Sequence, residues 1–159
     1  MKLPALFLTA IIAFSCAPKK DSITTLVSDC PAAGTCHTEI LTNKSLEAVT
    51  DNLGRVAYTL GDTIGTDVAK YKYEKTKNPA YQDDFYSEEV AIEISSQPRT
   101  TDISNLRVFF TVTCFCRGKA GTYRVKGSKA VIKGKILTLT LPPDIIEAQL
   151  TKEIKIALN

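Results

Sequence analysis

The sequence predicts an all-β protein, an antiparallel β-sandwich of about eight or nine short strands. Three observations carry this expectation. Apolar residues recur with period two in short runs, Gly, Asn, Asp and Pro punctuate those runs, and only Pro143 to Thr151 offers a helical pattern. A length of 159 residues suits one domain. With 44% hydrophobic and 23% charged residues, the chain is not wholly disordered, collagen-like or a multi-span membrane protein. The net charge of +3 is small and spread along the sequence, so no nucleic acid partner is expected.

The elements follow in order. Leu46 to Ala48, the turn Asp51-Asn52-Leu53-Gly54, and then Val56, Tyr58 and Leu60 form a hairpin signal. Val90, Ile92 and Ile94 share one face of a strand, with Glu89 and Glu93 on the other. Leu106, Val108, Phe110, Val112, Cys114 and Cys116 alternate with Arg107, Thr111 and Thr113. Tyr123 and Val125, Val131, then Leu137, Leu139 and Leu141 continue the pattern, with turns at Gly121, Gly127 and Gly134. Ile154, Ile156 and Leu158 close it against Lys155. Pro143-Pro-Asp resembles a helix start, but the segment has room only for a single turn or a crossover. Regularly spaced short strands of this kind point to an immunoglobulin-like architecture, without specifying topology.

Residues 1–15 read as a targeting segment. Lys2 supplies the positive charge, and the twelve residues Leu3 to Phe14 are apolar apart from Pro4 and Thr9. A membrane-spanning helix needs roughly 17–25 residues, so this run is too short for a permanent span. It ends at Ala13-Phe14-Ser15-Cys16, which resembles the lipobox of bacterial lipoproteins. That resemblance implies lipidation of Cys16 with palmitate-type acyl chains, cleavage before it, and a lipid-anchored mature chain. Each buried methylene adds about 0.8 kcal/mol, so two or three chains give stable attachment. The other reading is a cleaved secretory peptide that leaves Cys16 as a thiol. Residues 16–28 then form the lipidated N-terminus and a polar tether, and 29–159 the β-sandwich domain.

Further resemblances point the same way. Lys19-Lys20-Asp21 is similar to part of the surface-export signal of Bacteroidetes lipoproteins, and Asp21-Ser22-Ile23 and Asp62-Thr63-Ile64 to the O-glycosylation motif of that phylum. Asn43-Lys44-Ser45 fits the N-glycosylation pattern, which a bacterial lipoprotein leaves bare. Tyr81-Gln82-Asp83-Asp84-Phe85-Tyr86 and Cys114-Phe115-Cys116-Arg117-Gly118 resemble segments of small flavobacterial envelope lipoproteins. The implied location is the cell envelope, on the outer membrane with surface exposure as an option. No activity follows from that resemblance.

Cys30, Cys36, Cys114 and Cys116 remain after lipidation. In an oxidising compartment, an even set in a small domain predicts two disulfides. Cys114 and Cys116 lie two apart on one predicted strand, with Cα atoms roughly 6.5–7 Å apart and parallel Cβ vectors. They therefore pair more naturally with Cys30 and Cys36 than with each other. Cys30–Cys36 with free Cys114 and Cys116 is an alternative. The rival reading is a zinc or copper site built from the four thiols, although C-x5-C and C-x-C are not the usual zinc knuckles. A c-type haem lacks its first cysteine, because Ala33 stands there, and no cofactor is expected.

His37 is the only histidine, and G-x-S-x-G, P-loop, G-x-G-x-x-G and H-E-x-x-H motifs do not occur. The chain is therefore read as a non-catalytic protein. Arg117-Gly118-Lys119-Ala120-Gly121 is basic and loop-like and reads as a solvated turn, with contact to an anionic headgroup or partner as the other reading.

The most unusual stretch is Lys70 to Glu89, where lysines precede carboxylates and aromatics are interleaved. One reading is a hairpin looped at Asn78-Pro79, with cross-strand ion pairs and half-buried tyrosines. The other is a recognition loop of Tyr71, Tyr73, Tyr81, Asp83, Asp84 and Tyr86, suited to a glycan or an envelope protein. The functional expectation is a lipid-anchored binding or structural module that meets the membrane through its N-terminal lipid. Metal handling through Cys30, Cys36, Cys114 and Cys116 is the alternative.

Overall fold

The structure, a computed structural model, describes residues 30–96 and 106–158. The lipobox, Cys16 and Asp21-Ser22-Ile23 lie outside the described residues. Among the described residues eight strands form: β1 Gly34–Thr50, β2 Val56–Lys75, β3 Tyr86–Ser95, β4 Val108–Cys114, β5 Gly121–Arg124, β6 Lys129–Lys133, β7 Ile136–Thr140 and β8 Glu153–Ala157. They make two antiparallel sheets of five and three strands, ordered β1-β2-β3-β4-β5 and β6-β7-β8. The protein is an all-β sandwich in which, within each sheet, consecutive strands pair with one another, and β2 pairs in addition with β5. Among the described residues there is no helix, and Pro143 to Thr151 lies in a long loop, with Ala148 at φ 62°, that joins the antiparallel neighbours β7 and β8.

Alternation builds the shared core. Tyr71 and Tyr73 on β2, Val90, Ile92 and Ile94 on β3, and Val108, Phe110 and Val112 on β4 face one way. They meet Ala130 and Ile132 of β6, Leu137 and Leu139 of β7, and Ile154 and Ile156 of β8. The expectation for β6 is corrected: Val131 is 44% exposed, and Ala130 and Ile132 point inward. A two-residue turn at Gly134, φ 60°, joins Lys133 to its partner Ile136 and sets that parity.

The other face of the main sheet is half covered, because β1 and β2 bend together. Thr42 pairs with Asp67 and Lys44 with Asp62, so Thr63 to Thr66 bulge opposite Asn43 alone. Asn43 at φ 54° and Gly65 at φ 84° take left-handed conformations at this bend, where a short polar or side-chain-free residue costs least. Asn43 N–H donates to Asp67 Oδ1 at 3.1 Å and fastens the corner. Beyond it the hairpin folds back over the sheet, and Val56 pairs with Thr122 of β5. Leu46, Val68, Ala91 and Phe109 form a second buried cluster beneath, with the Tyr58 ring tilted against Phe109 at 5.2 Å between centroids. The predicted turn closes this hairpin: Asp51 Oδ1 accepts the N–H groups of Leu53 and Arg55, and Gly54 takes φ 77°. Asp62-Thr63-Ile64 spans the edge of the bulge, with Asp62 still paired to Lys44, Ile64 94% exposed and Thr63 Oγ1 donating to Ser45.

Candidate functional site

Lys70 to Glu89 forms the hairpin of β2 and β3, with Lys72 opposite Glu89 and Tyr73 opposite Glu88. Tyr71 and Tyr73 are 2% and 1% exposed, so they belong to the core, a correction to the recognition-loop reading. Their neighbours Lys70, Lys72 and Glu74 take the opposite face, as period two requires. Tyr73 lies over Gly34, where an added Cβ would meet its ring carbon Cζ at 2.7 Å and Glu74 O at 2.6 Å. Its hydroxyl donates to Ala32 O at 3.2 Å, and the Tyr71 hydroxyl donates to Cys36 Sγ at 3.1 Å. Tyr86 is half-buried and donates to Glu88. Burial raises the Tyr71 and Tyr73 hydroxyls above the usual phenol value. It does the same for Tyr86, with the Glu88 hydrogen bond adding to the effect.

Asp84 braces the loop instead of waiting for a ligand. It accepts Lys75 Nζ at 2.7 Å and Asn78 N–H at 2.8 Å, and these bonds hold its carboxyl below the usual range. Tyr81, 67% exposed, and Asp83 are the two of the six recognition candidates left on the surface.

The cysteines form two local pairs, Cys30–Cys36 and Cys114–Cys116, with Cα separations of 5.7 and 5.2 Å. The cross-pairing expected from sequence is corrected. Strands β2 and β3 stand between β1 and β4, about 14 Å at ~4.8 Å per strand, twice the ~7 Å limit for a disulfide. β4 ends at Cys114 and the chain bends at Phe115, which brings Cys116 within reach. The four sulfurs therefore do not converge, and among the described residues no group of three or more His, Cys, Asp or Glu could hold a metal.

The bend turns Phe115 outward, 72% exposed, where it meets Phe85 edge-on at 4.9 Å and 73°. Beside this aromatic pair runs a groove on the half of the sheet that the folded-back hairpin leaves open. One section of about 400 Å3 is lined by His37, Glu39, Lys70, Lys72, Glu74 and Glu89. It continues into about 370 Å3 bounded by Lys75, Lys77, Phe85, Thr111 and Thr113, with Lys72, Glu74 and Glu89 common to both. Lys70 Nζ lies 3.4 Å from both Glu39 and Glu89, and Lys72 Nζ lies 2.8 Å from Glu74 Oε1. The Lys72 hydrogen bond lowers the Glu74 carboxyl. Glu89 also accepts the Tyr58 hydroxyl, which its burial and that bond raise well above the usual phenol value. The floor is thus rich in donors and acceptors whose charges largely cancel. Such a surface favours a neutral, hydroxyl-rich or amide-rich ligand over a strongly charged one.

The sequence signalled the floor through the alternation of Lys70, Lys72 and Glu74 with Tyr71 and Tyr73. Phe85 and Phe115 were missed as a pair, because only the fold brings β3's start and β4's end together. The fold and groove define a disulfide-paired β-sandwich with an open, charge-balanced face. No known protein family matches the chain, and no curated protein or solved structure matches it.

Proposed function

We propose that this chain is a lipid-anchored envelope protein whose β-sandwich is a non-catalytic binding module for a neutral saccharide. The observation that carries the reading is the groove: self-neutralised donors and acceptors on its floor, and an aromatic pair, half-buried Phe85 and exposed Phe115, at its rim. Sugars match that chemistry, since hydroxyls replace water on the floor while the apolar ring face rests on an aromatic. The lipobox-like Ala13-Phe14-Ser15-Cys16 supports the anchor.

The test is titration of the full chain with a panel of neutral oligosaccharides, followed by amide chemical shifts. A binding sugar is expected to move Lys70, Lys72 and Thr111 together. Phe115→Ala should weaken it on the order of tenfold, as loss of an aromatic anchor does, with an unchanged melting temperature. Shifts that map elsewhere, or a variant that binds as tightly as the parent, refute the reading. For the anchor, Cys16→Ser is expected to release the protein from the membrane fraction. Retention there places the anchor in another part of the chain.

A further inference from the structure

We infer that a cleft at the opposite end of the sandwich binds a phosphate or sulfate group. It measures about 510 Å3, and among the described residues its charged lining consists of Arg107, Arg124 and Lys126, around the turn at Gly127 and Ser128. The arrangement follows from register. Phe109 pairs with Arg124, and Val125 N–H donates to Val108 O at 2.9 Å, so the ladder continued outward sets Arg107 directly opposite Lys126. Arg124 falls on the same face of that pair.

Like charges directly opposite one another destabilise a sheet, and elsewhere in this domain lysines of β1 and β2 sit against carboxylates. Here neutralisation is incomplete. Among the described residues Glu93 is the one carboxylate paired with Arg107, at 3.4 Å, and the same oxygen accepts Leu46 N–H at 2.7 Å. Arg107 Nη1 is also bonded to Leu46 O at 3.2 Å, which holds its guanidinium in place at the cleft wall. Arg124 and Lys126 are exposed and have no ion-pair partner among the described residues. A fixed guanidinium, a second one and an ammonium around one concavity match the several acceptor oxygens of a tetrahedral oxyanion. Binding there would relieve the repulsion that folding imposes. The site is separate from the groove, whose charges cancel, and its ligand is of the opposite kind.

The experiment follows the Gly127 and Ser128 amides of the full chain in neutral detergent, titrated with inorganic phosphate or with phosphatidylglycerol doped into the micelles. Saturable shifts are expected in at least one arm. Saturation by phosphate alone identifies a soluble anion, and saturation by the doped micelles alone a lipid headgroup; either supports the oxyanion chemistry. Arg124→Ala with Lys126→Ala should weaken binding on the order of tenfold for each cation removed, without lowering the melting temperature. Lys133→Ala, an exposed cation on β6, should leave it unchanged. No saturation in either arm, a double variant that binds like the parent, or an equal loss in Lys133→Ala overturns the assignment.

Discussion

Glu88 shows how much one residue decides. It is fully buried, and its two oxygens accept Leu150 N–H at 2.8 Å and Thr151 N–H at 2.7 Å, in addition to the Tyr86 hydroxyl. The carboxylate thereby ties the loop between β7 and β8 to β3. Glu88→Gln presents an amide where backbone donors require acceptors. It should cost about 1.5–3 kcal/mol, read as a lower urea midpoint with an unchanged slope. A midpoint equal to that of the parent would mean the β7–β8 loop is held by other contacts. The tyrosines add an alkaline dependence. Tyr58 and Tyr86 are raised above their ordinary value of 10.0 by burial and by hydrogen bonds to Glu89 and Glu88. Above about pH 10 the unfolded chain therefore releases protons that the folded one keeps. Their contribution is whole below that pH and declines as pH rises further. Tyr58→Phe should flatten the fall in urea midpoint between pH 9 and 11, roughly the range spanning the ordinary phenol value. An unaltered slope argues against the assignment.

At the scale of elements, the bend of the β1–β2 hairpin separates an ordinary sheet from one with a half-covered face. Its two supports are the left-handed bend at Asn43 and Gly65 and the cluster around Phe109. Gly65 has open space around a notional Cβ, so Gly65→Ala tests the backbone alone and should cost about 1–2 kcal/mol. Phe109→Ala removes the ring under Tyr58 and should cost about 3–5 kcal/mol in denaturation experiments. If the folded-back arm contributes little, Phe109→Ala will lose much less than that. Gly34→Ala probes the other end of β1, where Tyr73 covers the glycine; a stable variant would show that the ring has room to move.

For the whole molecule, the two cysteine pairs close loops of sequence separation 6 and 2. On the chain-entropy scale such short loops are worth roughly 2 kcal/mol each, against more than about 4 for links of some 80 residues. Reduction is therefore expected to lower the melting temperature modestly and leave the fold intact. Non-reducing mass after trypsin digestion should show both links as local. A peptide joining Cys30 or Cys36 to Cys114 or Cys116 would contradict the connectivity.

Much of this fold is legible in local sequence. The turn Asp51-Asn52-Leu53-Gly54, the faces of β3, β4, β7 and β8, and the strand count of about eight all follow from period two and turn chemistry, which depend on near neighbours. Val131 shows the boundary of that information. In Lys129–Lys133 an apolar residue stands at three successive positions, and only the partner strand decides which face is inward. The tyrosines show it again: Tyr71 and Tyr81 are chemically equal in sequence, but one fills the core and the other meets solvent.

Local sequence was enough for the all-β class, the hairpin at Asp51 to Gly54 and the faces of most strands. The tertiary structure alone decided which cysteines meet, where the main sheet is left uncovered, and that Arg107, Arg124 and Lys126 gather at one end while the groove's charges cancel. The physical reason is range. Alternation is a property of residues two apart, whereas partners, coverage and charge convergence come from burying one shared core, which joins residues far apart in the chain.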